Sequence, residues 1–494
     1  MDLNLATGRL RWPGWLAPCL ALCLAACASV PPPATPAAAA APAPQWQAPL
    51  PHQGQLADLG QWWAQFGDPV LVRLVEAAQA ASPTVAQAKS RIEQARFTQV
   101  SANADLLPRL DGTLSAQRGI TDPTFPVPVT VVQAALQARW EIDVFGGLGA
   151  ARDAALRRLE GAQAGWHDAR VIVAAEVANQ YISRRTCEKL LAIAVADAQS
   201  RAETSRLAAL SAKAGFQAPA TAALARASSA EGAMRRAQQQ AQCDLDVKAL
   251  VALTALPEPE LRQALAASSE ALPQPAPFAI ESVPAALLAQ RPDVYSAQQE
   301  VAAASADVGS AQAQRYPRLS LSGSIAGGRL YVGGAGNSVK TWSIGPLALT
   351  LPLLDGGVIA ANARAAEARY EEAAALYQAR VRQAVREVEE ALVNLDSARA
   401  RMQDADTATE GYRASFTATQ ARYKSGLASL VELEDARRTA LAAESALVGL
   451  QRERVAAWVA LYRAVGGGWA APTSANTTAA TTATTAATAT PATP

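Results

Sequence analysis

Two histidines in 494 residues, His52 and His167, leave this chain almost without imidazole chemistry. One lies in an N-terminal segment and the other inside a long helical stretch, and neither has the spacing of a metal site or a catalytic triad. Carboxylates are plentiful, 43 Asp and Glu against 44 Lys and Arg, but on long polar helix faces they fit solvated surfaces better than acid–base pairs. The chain is therefore read as not an enzyme, with no cofactor. A formal net charge of +1 gives no basic footprint for nucleic acid. What is left with chemical potential is sulfur, in Cys19, Cys23, Cys27, Cys187 and Cys243.

Three of the five thiols sit at the N-terminus. Arg9 and Arg11 precede the apolar stretch Trp15 to Ala26, the charge-then-apolar order of a secretory signal peptide, so the mature protein is expected outside the cytoplasm. The stretch ends in Leu24-Ala25-Ala26-Cys27, which resembles a bacterial lipobox: small residues admit the processing enzyme, and the cysteine thiol carries the lipid, palmitate included. Acyl chains there would tether the protein to a membrane without spanning it. The alternative is ordinary cleavage nearby, with Cys27 incidental. Ala28 stands where an Asp is associated with inner-membrane retention.

The elements that must position the rest repeat. Sliding the sequence against itself finds an offset of about 210 residues. Pro83-Thr84-Val85 with Ala88, Ala95 and Pro108-Arg109-Leu110 answers Pro292-Asp293-Val294 with Ala297, Ala304 and Pro317-Arg318-Leu319. Gly146-Gly147 answers Gly356-Gly357, and Lys213-Ala214-Gly215 answers Lys424-Ser425-Gly426. Each half reads as helix, two strands, long helix, turn and helix. The strands show period-two alternation: Val132, Ala134, Leu136, Ala138, Trp140, Ile142 and Val144 are apolar, with Gln133, Gln137, Arg139, Glu141 and Asp143 among the residues between them. The fourth strand, Val339 to Leu353, changes phase at Pro346, where a bulge could shift it. Ala150 to Ala214 and Val358 to Tyr423 contain no proline, and Val381, Val388, Leu395 and Met402 follow heptad spacing. Helices of about 65 residues are roughly 100 Å long, too long for a compact domain.

The expected division is a lipoprotein signal peptide over 1–26, a lipid-anchored Pro/Ala-rich segment over 27–60 and a first repeat over 61–270. A second repeat follows over 271–470, and a disordered Ala/Thr/Pro tail over 471–494. Cys187 and Cys243 each lie 28 residues from Gly215, one before and one after. If Gly215 marks a helical hairpin, the thiols sit at equal height on antiparallel neighbours and a disulfide is geometrically possible, the other reading being two buried free thiols.

After the signal no apolar run reaches 18 residues, so strands must do any spanning. Strands cross lipid only as a closed barrel, which four strands cannot form, and a ring of three copies supplies about twelve. Alternation would then set Trp140 and Val144 toward lipid and Arg139 and Asp143 toward water. In a trimer the long helices would continue the barrel as a hollow helical cylinder, although a heptad stripe fits a solid coiled-coil core as well.

With these residues in view, the chain resembles the TolC-like outer-membrane efflux proteins, specifically the NodT-type outer-membrane lipoprotein branch. The resemblance rests on Trp62-Trp63-Ala64-Gln65-Phe66-Gly67-Asp68-Pro69, on Gln290-Arg291-Pro292-Asp293-Val294 and on Tyr316-Pro317-Arg318-Leu319-Ser320-Leu321-Ser322-Gly323. The second hairpin, from Arg422-Tyr423-Lys424-Ser425-Gly426 to Val431-Glu432-Leu433-Glu434-Asp435-Ala436-Arg437, and the closing Leu461 to Trp469 complete it. It implies a mainly α, internally duplicated fold: a trimeric twelve-stranded outer-membrane β-barrel continued by a long periplasmic α-helical barrel. It implies a passive exit duct for small toxic compounds, a homotrimer working with a periplasmic adaptor and an inner-membrane pump of the RND type, and anchored in outer-membrane lipid. It also implies that Tyr423, Glu432 and Asp435 close the periplasmic aperture, where a ring of carboxylates would favour cations. Ala428, Thr221, Ser211 and Ala212 depart from the family's gate pattern, so any closing salt bridge must be arranged differently. Competing readings are an elongated periplasmic scaffold or adaptor without a pore, and an outer-membrane channel for protein secretion.

Overall fold

The computed structural model of the chain describes residues 47–48, 59–120, 127–268, 271–274, 288, 290–332 and 334–471. The signal sequence, Cys27, His52 and the tail beyond Ala471 lie outside the described residues. In chain order a 3-10 helix, Leu59–Phe66, is followed by α1 (Pro69–Ala81), α2 (Pro83–Asp105), β1 (Arg109–Ile120), β2 (Pro128–Ile142) and α3 (Gly147–Lys213). Then come α4 (Pro219–Thr254), α5 (Glu258–Ala267), α6 (Pro292–Ala313), β3 (Arg318–Val332), β4 (Ala335–Thr350), α7 (Val358–Lys424) and α8 (Leu430–Ala464). Two compact units share these elements.

The first unit, Gln94–Leu159 with Gln299–Ala375, holds all four strands as one antiparallel sheet in the order β1-β2-β3-β4. Its register sets like beside like. Leu110, Ala138, Gly323 and Ile344 form one cross-strand row, and Gly112, Leu136, Ile325 and Trp342 form the next. On the other face Asp111, Gln137, Ser324 and Ser343 are aligned, with a hydroxyl–hydroxyl hydrogen bond of 2.9 Å between the two serines. The phase change at Pro346 is a bulge: Leu321 pairs with Leu347 and Gly323 with Ile344, so Gly345 and Pro346 both face Ser322. One extra residue on β4 puts Leu347 and Leu349 back on the face of Trp342 and Ile344. That face is bare, with Trp342 75% and Ile344 84% exposed.

Asp143 and Val144, expected on opposite faces of the second strand, belong to neither face, because β2 ends at Ile142. Asp143 instead accepts hydrogen bonds from the N–H groups of Leu148 (3.1 Å) and Gly149 (2.7 Å) and caps α3. Asp355 caps α7 in the same way through Gly357 and Ile359. Both caps satisfy N–H groups that a helix start leaves unpaired, which is why an Asp precedes each Gly-Gly pair at a strand-to-helix junction.

The second unit contains the remaining residues, including the described parts of Ala39–Glu93, Glu160–Gln298 and Leu376–Pro494. Its core joins the chain's early and late strings: Trp62 stacks on Tyr462 at 4.7 Å, within a cluster that includes Leu71, Leu74, Val177, Tyr181, Val247, Leu250, Leu392, Val455 and Trp458. Asp68 caps α1 through Val70 and Leu71 and also accepts the Tyr181 hydroxyl. Before the first helix, the backbone N–H groups of Gln47 and Ala48 both donate to Glu389 on α7, at 2.7 and 2.8 Å. Cys187 on α3 and Cys243 on α4 form a disulfide with Cα atoms 5.5 Å apart.

Candidate functional site

The two long hairpins end in matching turns. Gly215 and Gly426 both take positive φ, +78° and +75°. In each, a backbone N–H just past the glycine reaches back into the preceding helix, Phe216 to Ser211 (2.9 Å) and Leu427 to Arg422 (2.8 Å). This left-handed helix cap demands glycine, which is why Lys213-Ala214-Gly215 and Lys424-Ser425-Gly426 correspond. Phe216 is 85% exposed at the first tip and Leu427 70% at the second.

Around the second tip stand the three expected gate residues. Tyr423 is half-buried and packs on the small apolar cluster of Ala208, Ala225, Leu430 and Leu433. Glu432 is exposed and completes a capping box: its carboxylate accepts from the Ser429 N–H at 2.7 Å, and its own N–H donates to the Ser429 hydroxyl at 3.2 Å. Hydrogen bonding from Ser429, its backbone N–H first and then its side chain, holds the Glu432 carboxyl below the usual carboxylate range. Asp435 is exposed and paired with Arg438 one turn along α8. Among the described residues no hydrogen bond or ion pair joins the three to one another, so within one chain they stand as separate groups near one tip.

The sequence reading missed the charged junction beneath them. Asp197, Ser200, Arg201 and Thr204 on α3, Ser228 on α4 and Glu434 and Arg437 on α8 meet in the interior. Arg201 Nε donates to both Asp197 oxygens at 2.9 Å, and its NH1 donates to Ser228 Oγ (2.5 Å) and Glu434 Oε2 (2.6 Å). Arg437 bonds Glu434, the Ser200 hydroxyl and the Thr204 hydroxyl, and its guanidinium lies 5.5 Å from the Phe416 ring centre on α7. Arg437 is 1% exposed, and desolvation pulls its pKa down. The available signal was Gly232, a helix-weakening residue in the middle of α4. A Cβ there would stand 2.8 Å from Arg201 Cδ, so the glycine makes room for the arginine.

A second cluster explains the Arg291-Pro292-Asp293 string. Arg291 forks onto Asp293 (3.0 and 2.8 Å), reaches Glu387 on α7 (2.9 Å) and donates to the Ala464 carbonyl at the end of α8 (2.7 Å). Gly466 lies against it, where a Cβ would come within 2.5 Å of the Gln290 carbonyl oxygen. Asp168 on α3 is raised to about 6 by burial first and then by the charge of Asp293. His167 is half-buried beside Trp166, and burial, followed by the charge of Arg170, lowers its pKa. Among the described residues no group of three or more His, Cys, Asp and Glu side chains could hold a metal ion.

The family profile described as "Outer membrane efflux protein" matches this chain twice, over residues 74–256 and 283–467. The chain is 31% identical over 457 residues to the pyoverdine export outer membrane protein OpmQ of Pseudomonas putida, covering 89% of this chain and 94% of the relative. It is 30% identical over 425 residues to nodulation protein T of Rhizobium leguminosarum bv. viciae, covering 84% of this chain and 86% of the relative. Among solved structures, the outer-membrane channel OprN superposes with a TM-score of 0.74 at 27% identity, covering 88% of this chain and 98% of that one.

Proposed function

The chain belongs to the outer membrane efflux protein family, and we propose that three copies close one barrel in the outer membrane and form the passive exit duct of a tripartite efflux system. The single observation that carries this is the sheet: four strands with a bare apolar face, whose outer members β1 and β4 each keep one edge unpaired among the described residues. In lipid an unpaired edge costs several kcal/mol per orphaned group, so copies must supply one another's missing strand neighbour. Three copies give twelve strands. The apolar face meets lipid, and the face of Asp111, Gln137 and Ser324 meets water.

The duct adds no energy of its own. An inner-membrane pump, of the RND type, drives small toxic compounds through a periplasmic adaptor, and the exposed Phe216 and Leu427 at the hairpin tips are the surface offered to that adaptor. Cys27 carries the lipid anchor in the outer membrane, and the paired Gln47 and Ala48 bonds to Glu389 fasten the segment behind it. Tyr423, Glu432 and Asp435 line the periplasmic aperture. The repeats run over 61–270 and 271–470, each holding two strands and one long hairpin.

The decisive experiment is the native mass of the detergent-extracted, lipidated protein. A trimer that resists mild denaturant and falls apart on heating is expected. A monomer, or a particle without a central hole in electron micrographs, would refute the reading and leave the periplasmic scaffold in its place.

A further inference from the structure

The apolar face of the sheet carries charge of one sign only, and only at one end. The four strands hold two carboxylates, Asp111 and Glu141, and the register sets both on the opposite face. On the apolar face the charged residues are Arg118 of β1, Arg329 of β3 and Lys340 of β4. They occupy consecutive cross-strand rows, Lys340 level with Leu114, Arg329 with Ala116 and Arg118 with Tyr331. These rows lie where β1 turns to β2 and β3 to β4, at the end of the sheet away from the strand ends that lead into α3 and α7, and so at the outer surface of the membrane. Toward the helix end the same face is apolar from Ala134 to Ile142 on β2, nine residues, about the length a tilted strand needs to cross the hydrocarbon. The cations therefore begin where the hydrocarbon ends, at headgroup depth.

We propose that Arg118, Arg329 and Lys340 bind the phosphates of the outer-leaflet glycolipid, lipopolysaccharide, and so hold its headgroups against the outside of the barrel. The proposal rests on the channel reading. All three side chains are exposed, and none has a hydrogen bond or ion pair among the described residues. Arg109, at the other end and on the other face, is paired with Asp105 instead. Lys340 faces Gly327, and Arg329 is the next residue of β3 on that face, so the two cations are diagonal neighbours with Cα atoms about 7–8 Å apart. Like charges that close repel one another unless an anion joins them. Gly327 leaves the floor beside them open, since a Cβ there would meet nothing within 4 Å. Arg329 offers a planar fork that matches two phosphate oxygens, and Lys340 adds a point charge next to it. Tyr331 lies across Gly336, where a Cβ would come within 2.7 Å of its ring, and places an amphipathic aromatic at the same depth. Closing the barrel sets β1 of one copy beside β4 of the next, so Arg118 continues the belt across each seam. The same cations attract free phosphate, but only a lipid also covers the apolar rows below them with its acyl chains.

Full-length lipidated protein in mild detergent is titrated with hexa-acylated lipid A bearing both its phosphates and with the same lipid stripped of phosphate, bound lipid being counted by native mass spectrometry. The wild-type trimer is expected to bind the phosphorylated lipid about tenfold or more tightly than the stripped one. Inorganic phosphate at equal concentration is expected not to displace it. Arg329→Gln with Lys340→Gln should lower affinity for the phosphorylated lipid about tenfold while the trimer stays intact. Arg139→Gln with Arg318→Gln, which removes the same charge from the wet face, should bind as wild type. Equal binding of the two lipids by the wild-type trimer would overturn the site, whether or not any variant folds. Wild-type affinity in a trimeric Arg329→Gln, Lys340→Gln variant would overturn it as well, and displacement by inorganic phosphate would reduce it to an ion site. A wild-type protein of monomer mass would instead overturn the channel reading.

Discussion

Asp168 shows how one side chain can be read as a stability statement. Burial and the neighbouring charge of Asp293 raise its carboxyl from 3.8 to about 6, against the opposing pull of Arg291, Arg380 and Arg463. A carboxyl raised on folding prefers its proton in the native state. Its contribution is fully present below the unfolded value near 3.8 and is lost as pH rises through about 6. Each tenfold change in proton affinity is worth about 1.4 kcal/mol, so replacing Asp168 with Asn should stabilise the protein near pH 7.5 by up to roughly 2–3 kcal/mol and make little difference near pH 4. Thermal melts of both proteins across that range check it, and a variant less stable than wild type near pH 7.5 would contradict it. At the tip, Glu432→Ala and Asp435→Ala should each enlarge or destabilise the closed state of the channel. Unchanged single-channel conductance and gating in both would remove these residues from the gate. The sequence pointed to Tyr423, Glu432 and Asp435 through a matching string. The Ser429-x-x-Glu432 spacing is that of a capping box, a signal present in the sequence that the reading did not use.

At the scale of elements, the strands and helices were largely legible. The long helices were expected over Ala150–Ala214 and Val358–Tyr423 and run Gly147–Lys213 and Val358–Lys424. Proline-free stretches bounded by Gly-Gly and Lys-x-Gly mark helix limits by local backbone rules, which need no partner. The second strand, read from Val132 to Val144, runs Pro128–Ile142: its end was placed two residues too far because Asp143 and Val144 keep the polar–apolar alternation, and alternation cannot tell a strand residue from a cap. The faces of the sheet give a sharp test. Ile344→Arg, on the apolar face, should lower barrel insertion into lipid vesicles by about 2–4 kcal/mol if it lies near the bilayer midplane, whereas Ser343→Arg, next to it on the wet face, should insert normally. Equal insertion of the two would reverse the assignment of faces. The disulfide braces α3 to α4 across 56 residues. Its removal by Cys187→Ser with Cys243→Ser should cost about 2–4 kcal/mol, readable as a lower urea midpoint for the second unit. An unchanged midpoint would show that the helices need no brace.

For the whole molecule, the duplicated plan gives each chain two hairpins and four strands, and the function follows from what one chain cannot complete. The family and its duct-like architecture were visible in strings such as Trp62–Pro69 and Leu461–Trp469 and in the 210-residue offset. These strings owe their residue types to contacts between distant parts of the chain, such as Trp62 on Tyr462 and Arg291 on the Ala464 carbonyl. The sequence alone determined the periodicities, the glycines at the turns and the count of strands, because each of these depends on a residue and its near neighbours along the chain. Only the tertiary structure decided that Cys187 and Cys243 are joined, that Pro346 sits in a bulge restoring the apolar face, and that Asp197, Arg201, Glu434 and Arg437 share one buried site. Burial is a property of what packs around a side chain, and an arginine on a helix reads the same in sequence whether it faces water or three other charges.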